Sequence, residues 1–207
     1  MTSVAGVTAF FTPVIGTRAL ADFYESFDSG VGALHHTWNS DSIQTGGGQL
    51  TLEGDSGAMQ RPSGADAGNG YGYYEVTANM SADVQGPAVL LWPGNDEWPG
   101  PEIDIVEVID GRPYGTLHWN DNGSDAYVSV FFDGVDETQT HTYGVDWSPG
   151  KVEWFVDGYS QGAVTDNVPE DYAHGGMNET LSVMNRGWEG GWLTVQDISY
   201  TSHDYGW

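Results

Sequence analysis

Residues 101–108 read PEIDIVEV, and three carboxylates, Glu102, Asp104 and Glu107, stand in a run of Ile and Val that otherwise has the pattern of a buried strand. Three acids this close cannot all ionise freely, because mutual repulsion and partial burial raise at least one pKa. The group that keeps its proton serves as a general acid, and one that stays charged serves as a nucleophile. Clustered Asp and Glu oxygens are also what calcium binds, so catalysis and metal binding are both open to these residues. The spacing is awkward for either. Side chains on a strand alternate faces, so Glu102 and Asp104 share a face while Glu107 points the other way. One extra residue between Asp104 and Glu107, a β-bulge, brings all three to one face and leaves Ile103 and Val108 for the core. The two glutamates then lie about four strand steps apart, roughly 13 Å between Cα atoms at about 3.3 Å per step. Retaining glycoside hydrolysis needs carboxyl groups about 5–5.5 Å apart. That gap closes only if the strand bends and both Glu side chains lean inward over the shorter Asp.

The elements that must hold these acids are strands. With 30 Gly and 9 Pro in 207 residues, no window sustains a helical period,. GQLTLEG, GYYEVTANM, PAVLLW, EIDIVEVI, YGTLHW, AYVSVFF, HTYGVDW, KVEWFVDG, ETLSVMN and LTVQDISYT are short β-rich runs separated by turn residues,. So many short strands predict an all-β sandwich or jelly roll of two antiparallel sheets. The length and the 39% hydrophobic content suit one domain, expected over 22–207, with residues 1–21 an N-terminal arm or strand,. Trp92, Trp98, Trp119, Trp188 and Trp192 fall in or beside loops rich in Gly and acids. Each could be ordinary core packing. Together they suit the apolar C–H faces of sugars, with Asn, Asp, Glu and Arg for the hydroxyls.

Thirty Asp plus Glu against five Lys plus Arg give a formal charge of −25. Such a chain repels phosphate backbones and anionic membranes, so neither nucleic acid nor membrane is an expected partner. Most of the acids are read as a solvated surface suited to high salt or a calcium-rich exterior. There is no Cys and hence no disulfide. The first 21 residues have an apolar stretch, but it lacks a preceding Lys or Arg and is broken by Pro13, a poor signal peptide,. No stretch approaches the roughly 20 apolar residues of a membrane span. The chain is expected to be soluble.

WPGPEIDIVEV resembles the signature of glycoside hydrolase family 16, which includes laminarinases, lichenases, agarases and bacterial exopolysaccharide glycanases. GYGYYEV, GTLHW, HTYGVDWSPGKVEWFVDG and VMNRGW follow in that family's order, so the resemblance covers roughly residues 22–200. It implies a concanavalin-like jelly roll with a concave cleft and retaining hydrolysis of an internal β-glycosidic bond. Glu102 matches the family's nucleophile, Glu107 its acid/base and Asp104 the acid between them. The E-x-D-x-x-E spacing is similar to laminarinases and agarases rather than lichenases. His118 matches a His beside the acid/base. Arg61, Trp98, Trp119, Asn185 and Trp188 match sugar-contacting positions. Catalysis needs no cofactor in this family, but a structural calcium is often held on the convex face, at places matched by Glu25, Gly48 and Asp197. The C-terminal LTVQDISYTS departs from the usual pattern there.

Anionic polymers need cationic partners, and this chain has only Arg18, Arg61, Arg112, Lys151 and Arg186. A neutral β-1,3- or mixed β-1,3/1,4-glucan is therefore the expected substrate, with an acidic bacterial exopolysaccharide as the alternative. Short cleft loops favour an open groove and endo cleavage. A non-catalytic sugar-binding jelly roll is a further reading, set against by the intact acid triplet. Transglycosylation is another, since it shares the covalent intermediate. The resemblance also suggests a secreted monomer, exported without a classical signal or as part of a larger protein.

Overall fold

A computed structural model describes residues 21–82, 84–187 and 190–203. The expected N-terminal arm falls, except for Ala21, outside the described residues. The strands in chain order are β1 (Phe23–Glu25), β2 (His36–Trp38), β3 (Ile43–Thr45), β4 (Leu50–Glu53), β5 (Asp55–Met59), β6 (Gly72–Met80), β7 (Pro87–Pro93), β8 (Glu102–Ile109), β9 (Arg112–Asp121), β10 (Ser124–Phe131), β11 (His141–Ser148), β12 (Lys151–Val156), β13 (Tyr159–Val164), β14 (Glu179–Arg186) and β15 (Trp192–Ser202). One antiparallel sheet runs β13-β12-β11-β6-β15-β4-β3, with β1 also on β15, and the other runs β10-β9-β8-β7-β14-β5-β2. This is the expected two-sheet sandwich. All ten β-rich runs are strands. The remaining five, β1, β2, β3, β5 and β13, are short or rich in Gly and polar residues, and owe their conformation to the neighbour each pairs with,.

Along β6 buried and half-buried residues alternate without exception, so one face packs on the core,. Trp147, Trp154, Tyr74, Tyr143, Phe27 and Phe132 fill the space between the sheets. Two Asx-Gly turns set the register of the β8–β9–β10 ribbon. Asp110 and Gly111 have φ of 51° and 64°, and Asn122 and Gly123 have 54° and 89°. These are the left-handed pairs that a two-residue hairpin loop requires.

The strand carrying the acids is bulged where the spacing demands it. Asp104 pairs with Thr116 and Glu107 with Tyr114, so Ile105 and Val106 together oppose Gly115. Ile105 and Val106 are both fully buried. A bulge disrupts the ladder locally, and the Asp104 carbonyl accepts instead from Trp154 Nε1 of the opposite sheet, at 2.8 Å. The indole fits because residue 115 has no side chain: a Cβ there would lie 2.0 Å from Trp154 Nε1. Trp154→Phe removes the donor and leaves that carbonyl buried and unsatisfied. We expect a loss of about 1–3 kcal/mol in urea unfolding, together with a fall in any activity of the acids on β8; unchanged stability would show that the bulge does not need the indole.

Candidate active site

The register across the second sheet arranges its outer face in rungs. The middle rung is Met59, Ser182, Leu90, Asp104, Thr116 and Ser129. To one side lie Trp38 paired with Gly57, then Met184, Ala88, Glu107, Tyr114 and Phe131. On the other side Glu102, His118 and Tyr127 form a rung, with Trp92 one step beyond the Leu91–Ile103 pair. Mostly short side chains therefore separate two rows of aromatic and acidic ones, and the result is a groove of about 860 Å³ lined by residues of all seven strands. It crosses the strands rather than following them, a span of roughly 29 Å at about 4.8 Å per strand. Glu102 and Glu107 stand on opposite banks with Asp104 on the floor between them.

Trp98 is 46% exposed at the Glu102 bank. It stacks on Trp92 at 5.5 Å and 12°, and meets the His118 ring edge-on at 5.5 Å. Trp92 is itself fixed by Nε1 donating to Asp96 Oδ1 at 2.8 Å. At the far end Trp38 lies over Gly57, where a Cβ would come within 1.9 Å of the indole. Arg186 is the one Lys or Arg among the described residues lining the groove.

Glu102, Asp104, Glu107, His118 and Trp98 are thus brought together, and three other candidate residues are placed away from the groove. Trp119 follows His118 on β9, so alternation turns it away from the groove and it packs, half-buried, against the core,. Asn185 is one step out of phase on β14, whose groove-facing residues are Ser182, Met184 and Arg186. It is fully buried, donates to the Gly191 carbonyl at 2.5 Å and accepts from Gly187 N at 3.1 Å, and so pins the chain between the sheets. Arg61 is exposed past the end of β5 and does not line the groove. Trp188 lies outside the described residues. Strand parity counted from Glu102 and His118 would have found Tyr114 and Tyr127. Arg186 needed the phase of β14, which ETLSVMNR, apolar on both faces, does not reveal.

Glu25 and Asp197 sit on the first sheet and Gly48 in the turn between its strands β3 and β4, all outside the groove. Glu25 pairs with Ile198, beside Asp197, and the Cβ direction of Gly48 points within 3.4 Å of Asp28 Oδ1 and 4.0 Å of the Ser26 carbonyl. Carboxylate and carbonyl oxygens are the donors calcium takes. Glu25 also accepts from Phe27 N at 2.9 Å and Ala33 N at 3.3 Å, and Asp197 from Thr77 at 3.2 Å, which leaves each carboxylate further lone pairs for an ion,. Donor atoms of Asp104, Glu107 and His118 also lie within 4.8 Å of one another, but an imidazole nitrogen is a poor partner for calcium.

The groove acids share their protons. Burial, then the charge of Asp104, pushes Glu102 up to about 9, while His118 acts in the opposite direction. Burial and the neighbouring Glu107 hold Asp104, 1% exposed, well above the carboxylate range. Burial raises Glu107 as well, against hydrogen bonds from Asp104 and Tyr114 and the charges of His118 and Arg186. Behind them Glu179, wholly buried and without a well-aligned hydrogen bond, is pushed well above the carboxylate range by burial and by Glu102. An acid raised on folding binds its proton more tightly in the native state, so its stabilisation is full below the unfolded pKa and is lost as pH rises through the folded one. For Glu102 that window runs from about 4.5 to about 9. Glu102→Gln should therefore raise stability at pH 7 by on the order of 1–3 kcal/mol and leave it unchanged at pH 4; thermal melts at both pH values read the difference, and an equal effect at both would contradict it.

Residues 32–205 match Glycosyl hydrolases family 16. Over 92 residues, 42% of this chain, it is 38% identical to the Endo-1,3-1,4-beta-glycanase EglC of Rhizobium meliloti (strain 1021), covering 19% of that protein's length. A Beta-glucanase of Bacillus subtilis (strain 168) is 27% identical over 175 residues, 78% of this chain and 70% of that one. The fold is shared with the laminarinase catalytic domain from Thermotoga maritima MSB8 at a TM-score of 0.66 and 16% identity, covering 89% of this chain and 98% of that one. With a family match over nearly the whole described chain, this protein belongs to glycosyl hydrolases family 16.

Proposed function

We propose that the chain is a retaining endo-β-glycosidase acting on a β-1,3- or mixed β-1,3/1,4-linked glucan. The observation that carries this reading is the pair of glutamates on opposite banks of a groove that crosses the whole sheet, with Asp104 between them. A chain lying along the middle rung has Glu102 on one side of a glycosidic bond and Glu107 on the other. Glu102 attacks the anomeric carbon and forms a glycosyl ester as Glu107 protonates the departing oxygen. Glu107, now ionised, takes a proton from water, and that water releases the sugar with its configuration retained. Asp104 lies between the two glutamates and interacts with both, and so couples the charge of one to the proton of the other,.

The beta-glucanase among the relatives supports a glucan, and the glycanase supports 1,3 and 1,4 linkages. A groove in which Arg186 is the one Lys or Arg among the described residues supports a neutral polymer,; the same Arg186 is what an acidic exopolysaccharide would use. The sugar platforms of this reading are Trp98, Trp92 and Trp38. A structural calcium at Glu25, Gly48 and Asp197 would brace the edge strand β1 against β15 and takes no part in the chemistry. A polymeric substrate too large to cross a membrane supports an extracellular setting.

Product analysis on laminarin, lichenan, curdlan, agarose and an acidic exopolysaccharide tests the substrate: oligomers of several lengths from the first two are expected, and binding without turnover on any would favour the sugar-binding reading. Glu102→Gln should abolish cleavage while leaving the fold intact, and retained turnover would remove Glu102 as nucleophile. Because Glu102 must be ionised to attack, the acidic limb of kcat/KM should lie above pH 5,; a limb at the ordinary carboxylate value would contradict the shared-proton cluster.

A further inference from the structure

His118 touches the acid cluster with one nitrogen and a second carboxylate with the other. Its Nε2 lies 3.2 Å from Asp104 Oδ2, and its Nδ1 lies 2.9 Å from Asp125 Oδ1. Asp104 has no well-aligned hydrogen bond to either oxygen, so His118 is the polar group its buried carboxyl faces outside the two glutamates. Asp125 reaches the ring because the Asn122-Gly123 turn places it opposite Asn120. It is then two residues from Tyr127, the cross-strand partner of His118, on the same face and diagonal to the imidazole,. The ring is held sideways as well, by Trp98 at 5.5 Å and Tyr127 at 5.4 Å.

A carboxylate only accepts hydrogen bonds, so a 2.9 Å contact from Asp125 fixes the proton on Nδ1. In the neutral ring Nε2 then presents a lone pair to Asp104. We propose that Asp125 is a positioning residue of this active site, holding His118 in the Nδ1–H tautomer so that Nε2 accepts from the Asp104 carboxyl. In that state the hydrogen that Asp104 would otherwise give to Glu107 is directed at His118, and its other oxygen is left to accept from Glu102. Asp125 is not among the residues lining the groove and acts through His118.

Two measurements test this, one of them independent of the proposed function. Ring-nitrogen correlation spectra of ¹⁵N-labelled protein, at a pH where the ring is neutral and with His118→Gln to assign its signals, should show His118 protonated on Nδ1. Asp125→Ala should move that proton to Nε2, and Asp125→Asn, whose amide oxygen still accepts, should keep it on Nδ1. On the cleaved polymer, Asp125→Ala should lower kcat roughly tenfold with KM within about twofold, as loss of an orienting partner does elsewhere. Asp125→Asn should recover most of the rate, and Asp125→Ala should add nothing in a His118→Gln background. An unchanged tautomer in Asp125→Ala, or an equal loss with and without His118, overturns the proposal. If no polymer is cleaved, the kinetic result bears on the proposed function while the spectra still decide the role of Asp125.

Discussion

The hydrogen bond from Trp154 Nε1 to the Asp104 carbonyl is what allows an irregular strand to run through the middle of this sandwich. A regular β8 would satisfy every backbone group in its ladder and would send Glu107 into the core. The bulge turns Glu107 outward, and the indole of the opposite sheet takes the carbonyl. Gly115 is part of the same solution, since any side chain there would occupy the space of the ring. One strand from each sheet and a glycine between them thus set the height and spacing of three acids. The two sheets are joined at that point by a directional bond as well as by packing.

The electrostatics follow from where the bulge puts those acids. Glu102, Asp104 and Glu107 are forced together over a dry core, with Glu179 beneath. A chain of charge −25 has few cations to offer them, and among the described residues of the groove His118 and Arg186 are the ones that act on the cluster. The protein answers by keeping protons rather than by adding positive charge. Proton sharing is also what the proposed chemistry requires, since one carboxyl must give a proton while its neighbour holds none. The arrangement stores a cost at neutral and alkaline pH, and the large aromatic core is what offsets it.

Much of this was legible in the sequence, and what was not has a physical reason. The parity conflict among Glu102, Asp104 and Glu107 has a single inexpensive resolution, so the bulge could be read before any coordinates. The long alternating runs around β6, β11 and β12 declare their faces. The sequence was least informative where alternation gives no phase. Asn185 and Trp119 each sit one residue from a groove-facing neighbour, Arg186 and His118, and a likeness in residue type carried them to the wrong side. Strands β2 and β5 were hidden because HTW is only three residues long and DSGAM has weak propensity, and both become strands through pairing,. With them was hidden Trp38. The partnership of Asp125 with His118 depends on a turn and a diagonal, and becomes visible only once Asn122-Gly123 is taken as a two-residue hairpin.

Because the groove crosses the strands, each position along a bound chain rests on a different strand. Ser129 belongs to β10, Thr116 to β9, Leu90 to β7, Ser182 to β14 and Met59 to β5. A change of residue on one outer face alters one place along the polymer and leaves the backbone pairing of every other strand alone. The two glutamates, fixed to β8 by the bulge, are insulated from such changes. The architecture therefore separates what cuts from what chooses, and preference for linkage or decoration can diverge one strand at a time while the cutting machinery stays the same.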